Sequence, residues 1–244
     1  MISIRAAAQR GNADHGWLRS AHTFSFGSYF DPEQSGFSDL LVINEDRVDP
    51  GMGFGSHSHR DMEIFSYVLE GELAHKDSIG NGSSIKPGDV QLMSAGTGIV
   101  HSEFNPSQNA MVHFLQIWIV PARANQPANY QQWSIDPVEK RGRLALILSP
   151  DGDKQSLVID QDIRVYAGDF DGYEAANLEL HPGRYAYVHI ARGTVSLNGK
   201  QMVAGDGARI MDETALSFTN GRNAEVLVFD LRPNMQPQIG KGRS

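Results

Sequence analysis

"GFGSHSHRDMEIFSYVLEGEL", residues 53–73, joins a glycine-rich opening to a long β-prone run. Two histidines, His57 and His59, stand one residue apart in the opening. Behind them "MEIFSYVLEGELAHKD" (62–77) is rich in β-branched and aromatic residues and broken at Gly71, a strand pattern and not a helical one. On a strand, side chains i and i+2 share one face. His57 and His59 would then point together, with Ser58 opposite. A single His-x-His in a glycine-rich loop is more often solvated than metal-bound, so its meaning depends on what else aims at the same spot.

The same texture continues outward. "SDLLVINEDRV" (38–48), "VQLMSA" (90–95) and "MVHFLQIWIV" (111–120) read as strands, separated by "NG", "PGD" and "GTG" turn signals. Residues 121–142 are polar, carry three prolines and read as a connection between domains with one short helical turn. Strands resume at 143–149, 162–170, 185–199, 215–218 and 225–231. No long amphipathic helix is predicted, and many short strands with regular turns point to a sandwich or barrel. The halves also rhyme. "VLEGEL" with "PGDVQLMSAG" and "IARGTVSLNG" with "AGDGARIMDE" each read as a hairpin, a Gly-Asp turn and a further strand, a hint of duplication. The expected domains are 1–136 and 137–235, with a tail at 236–244.

Composition narrows the chemistry. The 244 residues suit one large all-β domain or two of ordinary size. There is no cysteine, which excludes disulfides, thiolate metal sites and thiol nucleophiles, so any metal must sit on imidazole and carboxylate. The net charge of −8, with no basic block beyond the terminal "KGRS", disfavours direct nucleic-acid binding. No signal peptide and no membrane-length apolar run stands out, so a cytoplasmic protein off the membrane is expected.

A second pair with the same spacing, His101 and Glu103, follows a glycine-rich turn in "GTGIVHSEFN". Two strands, each offering two groups on one face, could close a four-point site inside a barrel. Three imidazoles and a carboxylate suit Fe(II), Mn(II), Co(II), Ni(II), Cu(II) or Zn(II). Glu63 competes with Glu103: an unbroken strand from His57 would put Glu63 on the histidine face, whereas a bulge or turn at Arg60–Asp61 would remove it.

These residues carry a resemblance. Gly51, His57, His59 and Glu63 match the first cupin motif, and "PGDVQLMSAGTGIVHSEFN" resembles the second. It departs from that motif at Ser94, where proline is usual, and in the longer spacing from Gly96 to His101. With "HSHRDMEIFSYVLEGELAHKDSIGN", "MSAGTGIVHSEFNPS", "GWLRSAHTFSFGSYFDP" and "LQIWIVP", the chain is similar to the pirin family over most of residues 14–121, and less so beyond. The resemblance implies an all-β fold of two cupin (jelly-roll type) β-barrels in tandem. It implies a divalent transition metal, Fe(II) first, on His57, His59, His101 and Glu103 of the N-terminal cupin. The C-terminal cupin should lack metal, because Glu179 and Tyr185 stand in for His57 and Glu63, leaving His181 alone. Likeness to bacterial members implies quercetin 2,3-dioxygenase activity: O2-dependent ring cleavage of a flavonol with loss of carbon monoxide. Glu103 is the candidate to take the substrate proton; since a metal-bound glutamate is a poor base, it would have to loosen, or Glu63 or a bound water would act instead. The alternative it implies is a non-enzymatic iron-binding regulator that binds a protein partner. A monomer is expected. Of the other histidines, His75 reads as a polar strand end or turn and His113 as a barrel-facing or packing residue, while His15 and His22 have no assigned place. Phe24, Phe26, Phe54, Phe104, Phe114 and Trp118 are candidates for an aromatic cavity or for plain core.

Overall fold

The strand-forming segments pair almost wholly antiparallel in the computed structural model, which describes residues 1–234. The expected tail and its "KGRS" end lie outside the described residues. In chain order the strands are β1 (Ile2–Arg5), β2 (Gly11–Asp14), β3 (Leu18–His22), β4 (Leu40–Val48), β5 (Gly53–His59), β6 (Glu63–Glu70), β7 (Leu73–Asp77), β8 (Gly82–Ile85), β9 (Asp89–Ser94), β10 (Ile99–Phe104), β11 (Val112–Ile119) and β12 (Asn129–Ser134). After the short helix α1 (Pro137–Lys140) come β13 (Ala145–Ser149), β14 (Leu157–Val158), β15 (Ile163–Phe170), β16 (Ala176–Glu179), β17 (Tyr185–Leu197), β18 (Lys200–Val203), β19 (Gly207–Ile210) and β20 (Ala215–Leu231). No helix among the described residues is long and apolar enough to cross a membrane.

The chain divides into two units. One holds Gly11–Ser134 with Ile159–Gln161; the other holds Met1–Arg10, Ile135–Val158 and the chain from Asp162. The first ten residues, expected in the first domain, thus belong with the second. β1 pairs with β19 from Ile2↔Ile210 to Arg5↔Gly207, and Ile2 packs on the apolar cluster of that unit. A four-residue strand carries no periodicity strong enough to show which half it joins.

The first unit is built from a seven-stranded sheet, β12-β9-β6-β11-β4-β3-β2, and a four-stranded sheet, β5-β10-β7-β8. β6 and β7 were expected to form a hairpin around Gly71, yet they lie in different sheets. The chain turns a corner there: Gly71 has φ 78, and a Cβ would press on the Met111 carbonyl, so glycine alone fits. β12 forms inside the stretch expected as a connection, pairing with β9 from Asn129↔Ser94 to Ser134↔Asp89. Its polar, part-exposed sequence is that of an edge strand, which hides it from a hydrophobic reading.

Two apolar clusters of the first unit bear on the site. Leu18, Val48, Val68, Leu73, Ile85, Val112 and Phe114 form one, and Met62, Ile64, Met93, Ala95 and Ile99, with Trp118 against them, form the other. Val68 and Ile64 sit two residues either side of Ser66 on β6, and Phe114 and Trp118 two either side of Gln116 on β11. A polar row therefore runs between the clusters. The registers place His22 opposite Asn44, Asn44 opposite Gln116, Gln116 opposite Ser66 and Ser66 opposite Gln91. That row faces the site described next.

In the second unit the sheet order is β1-β19-β17-β20-β15-β13-β14, with β16 on β20 and β18 on β17. The expected hairpin at Gly193 is instead one long strand, β17, whose register against β20 shifts between Ile190 and Ser196. Its interior is apolar: Phe170, Val188, Ile190, Leu216, Phe218, Val226 and Val228 are buried together.

Candidate metal centre

β5 and β10 bring the two sequence pairs together. They are antiparallel, with Ile99 opposite His59 and His101 opposite His57. The register then slips, so that Glu103 faces Phe54: β5 carries an extra residue, a β-bulge. Gly53 makes the approach possible, since a Cβ there would collide with the Glu103 carbonyl and the Phe104 backbone. β7 flanks β10 on its other side, with Asp77 opposite His101 and His75 opposite Glu103.

Two clusters result, sharing His101. Ring nitrogens of His57, His59 and His101 lie within 4.8 Å of one another, and so do ligand atoms of His75, His101 and Glu103. Three of the four expected ligands thus converge mutually, and Glu103 joins them through His101. His57 and His59 are part exposed, whereas His101 and Glu103 are buried, at 2% and 1% exposure. The cluster opens to solvent on the β5 side and is closed behind β10.

The donor set fits a metal ion. His57 Nδ1 lies 2.8 Å from the Gly55 carbonyl, to which it donates. Its Nε2 therefore carries a lone pair, directed at His101 Nε2 3.0 Å away. With metal–nitrogen bonds of about 2.0–2.1 Å, that separation subtends roughly 90–100°, as for adjacent ligands of a five- or six-coordinate ion. Burial and the neighbouring His57, His59 and His75 rings push the His101 imidazole down to about 3, so it stays neutral, the form that binds metals.

Glu103 is held from the seven-stranded sheet. Ser66 Oγ donates to its Oε1 at 3.2 Å, and Gln116 Nε2 to its Oε2 at 2.6 Å. Burial raises its carboxyl to about 7, against the pull of those two bonds. Glu63 takes a different place. Asp61 turns the chain with φ 48 between β5 and β6, so Glu63 begins a strand of the other sheet and accepts from Ser94 Oγ at 2.8 Å. Burial lifts it to about 7 as well.

Several side chains hold places that the sequence did not reveal. His75, read as a strand end, is buried on β7, with Asp77 Oδ2 3.0 Å from its Nε2 and Gln91 Nε2 3.3 Å from its Nδ1. Tyr130 stacks on its ring at 5.0 Å. Burial opposes ionisation of Asp77, but donors from His75, Asn81 and Ile79 outweigh it and hold the carboxyl below its usual range. His113 turns away from the Gln116 row and bonds Glu45 Oε1 at 2.9 Å. His22 finds its place on β3 beside Asn44, 2.8 Å away. The signal for Ser66, Gln91 and Gln116 was available: each is a lone polar residue in an apolar run, "IFSYV", "VQLM" and "FLQIW". The aromatic candidates divide. Trp118 meets His59 edge-on at 4.9 Å and Phe26 at 5.4 Å, and Phe26 in turn meets His22 at 5.4 Å, forming a wall beside the histidines. Phe24 and Phe114 are core, Phe54 packs against the apolar cluster that holds Phe114, and Phe104 is exposed.

Comparison with known proteins bears on this geometry. Residues 3–119 match the family described as Pirin, and residues 146–231 match the Quercetinase C-terminal cupin domain. The quercetin 2,3-dioxygenase of Escherichia coli K12 is 44% identical over 233 residues, spanning 96% of this chain and all of that one. The chain belongs to the pirin family. Among solved pirin structures, YhhW from Escherichia coli, 44% identical, superposes with a TM-score of 0.92 over 97% of this chain and 100% of its own. A second crystal structure, of bacterial pirin YhhW with nickel(II), superposes at 0.91 over 96% of this chain and 100% of its own. The pirin fold of N- and C-terminal cupin domains is thus the fold of this chain, and nickel(II) is bound in the YhhW complex. In this pirin His181 and Glu179, which stand where first-domain ligands would, are exposed around the end of β16.

Proposed function

We propose that this pirin is a metal-dependent dioxygenase that cleaves flavonols of the quercetin class with O2. His57, His59, His101 and Glu103 are the proposed ligands, and Fe(II) the proposed ion. The observation that carries the reading is the convergence of three imidazoles at a part-exposed mouth beside the Trp118–Phe26 wall. A bound metal would supply Lewis acidity to a flavonol oxygen. The chain supplies the rest. The aromatic wall, with its two rings nearly perpendicular, offers apolar ring surface to a planar polyphenol. The closed side behind His101 keeps bulk water from the reacting centre. Glu103, fixed by Ser66 and Gln116, is the carboxylate placed to accept the proton of the 3-hydroxyl.

The test follows quercetin absorbance and O2 uptake together, in metal-loaded and chelator-treated protein. The reading requires oxygen-dependent, metal-dependent loss of quercetin, and little loss of a flavone lacking the 3-hydroxyl. Protein that binds metal yet consumes no flavonol would overturn it and leave the non-enzymatic regulator reading.

A further inference from the structure

The Nε2 atoms of His57 and His101, 3.0 Å apart, are spaced for two ligands of one ion but equally for a hydrogen bond between the rings. Which of these holds depends on where the His101 proton sits. If it sits on Nε2, His101 donates to the His57 lone pair and the pair closes on itself. If it sits on Nδ1, both lone pairs face the same point. Something outside the two rings has to choose.

We propose that Asp77, acting through His75, is a positioning relay that sets the His101 tautomer and keeps the site open to metal. Asp77 accepts from four donors: the backbone N–H groups of Ile79 and Asn81 and the Asn81 amide, each at 3.0 Å, and His75 Nε2 at 3.0 Å. A carboxylate so surrounded can only accept, so His75 carries its proton on Nε2 and leaves Nδ1 as an acceptor. Gln91 Nε2 also lies 3.3 Å from that Nδ1, so the Gln91 amide and the His101 ring share its one lone pair. His101 Nδ1 lies 3.4 Å from His75 Nδ1, and among the described residues no other bond to it is recorded. Its proton therefore sits there, and Nε2 faces His57 with a lone pair. The relay is buried throughout: His75 and His101 are each 2% exposed and Asp77 9%. Carboxylate-to-histidine support of this kind commonly governs metal affinity. Here it runs through two rings.

The inference rests on the metal reading above, and its test separates the two. Asp77→Asn is nearly isosteric. The amide oxygen stays on the Ile79 and Asn81 N–H groups, so the new NH2 faces His75 Nε2 and the Asn81 side chain. The Asn81 amide turns its oxygen to accept, and the NH2 donates to His75 Nε2. The proton of His75 moves to Nδ1, that of His101 to Nε2, and the site closes on His57. Nickel(II) affinity, measured by competition with a chelator, should fall about 10–100-fold. Nitrogen-15 spectra of the metal-free protein should show the His101 proton on Nδ1 in wild type and on Nε2 in the variant. In a His75→Gln background the side-chain amide can turn its oxygen to His101 whatever stands at 77, so Asp77→Asn should then change nickel affinity little. A role confined to the β7–β8 turn would not vanish in that background. Wild-type protein that takes up no nickel overturns the metal reading. Wild-type protein that binds nickel, with Asp77→Asn matching it in affinity and ring signals, overturns the relay.

Discussion

At the scale of single residues, chemistry concentrates on β10, which supplies His101 to both clusters and Glu103 to one of them. His101→Ala should bring nickel bound per chain close to zero in elemental analysis, because His101 belongs to both clusters. Glu103→Gln should weaken binding, whereas Glu63→Gln should leave it unchanged, since Glu63 is turned to Ser94 on the other sheet. Metal retained in Glu103→Gln and lost in Glu63→Gln would reverse the assignment of the two carboxylates. Asp46, on β4, tests the electrostatics beside the ligands, since its charge is among the causes that raise Glu103. Burial raises it from 3.8 to about 7, against a hydrogen bond from Ser20, and one of its oxygens has no partner. The folded state thus holds a proton that the unfolded chain releases near pH 4. The stability this adds is complete below that pH and is lost as pH rises through about 7. Asp46→Asn keeps the Ser20 bond without the charge. Metal-free Asp46→Asn should be more stable than wild type at pH 8, on the order of 1–3 kcal/mol, and its denaturation midpoint should fall less between pH 5 and 8. Parallel pH profiles would show that Asp46 does not carry the buried proton. The His-x-His and His-x-Glu spacings were legible because strand parity puts the members of each pair on one face, whereas the bulged register that brings the two strands together was not. His75 was not, because "AHKDS" mixes exposed and buried positions and only the pairing of β7 with β10 turns His75 inward.

At the scale of elements, the site depends on a bulge. β5 must gain a residue between Phe54 and His57 so that His101 and Glu103 both reach their positions on β10. Gly53 lets the two strands approach closely enough. Gly53→Ala should push β5 away, lowering nickel affinity together with the melting temperature, whereas Gly55→Ala, whose Cβ would meet nothing within 4 Å, should change the melting temperature little. Equal effects of the two substitutions would mean that the approach at Gly53 does not set the site. The strongly periodic strands β4, β6, β11 and β15 could be read from hydrophobic pattern. Short or polar ones, such as β2, β8, β12 and β16, could not, since their pairing is set by neighbours and not by their own side chains. The corner at Gly71 looked like a hairpin for a similar reason: a glycine with positive φ marks a turn but does not say whether the next strand returns to the same sheet.

At the scale of the whole molecule, two units of related fold have opposite interiors. The first spends its middle layer on His22, Asn44, Gln116, Ser66 and Gln91, a polar row between two apolar clusters, and that row grips Glu103 and His75. The second fills the equivalent kind of space with apolar side chains, Phe170 and Phe218 stacked at 5.6 Å among them. Burying polar groups without partners costs stability, so a row of this kind is tolerable where each member has a role. The contrast predicts separable responses. Phe218→Ala removes a fully buried ring and should cost about 3–5 kcal/mol by denaturant titration. Nickel should bind the folded variant with wild-type stoichiometry, because no proposed ligand or supporting residue lies in the second unit. At a free nickel concentration of 100 times Kd, the metal should add about 2.7 kcal/mol to the stability of the first unit in both proteins. A folded Phe218→Ala chain that no longer takes up nickel would place a determinant of the metal site in the apolar barrel, and the division between a chemical half and a structural half would fail.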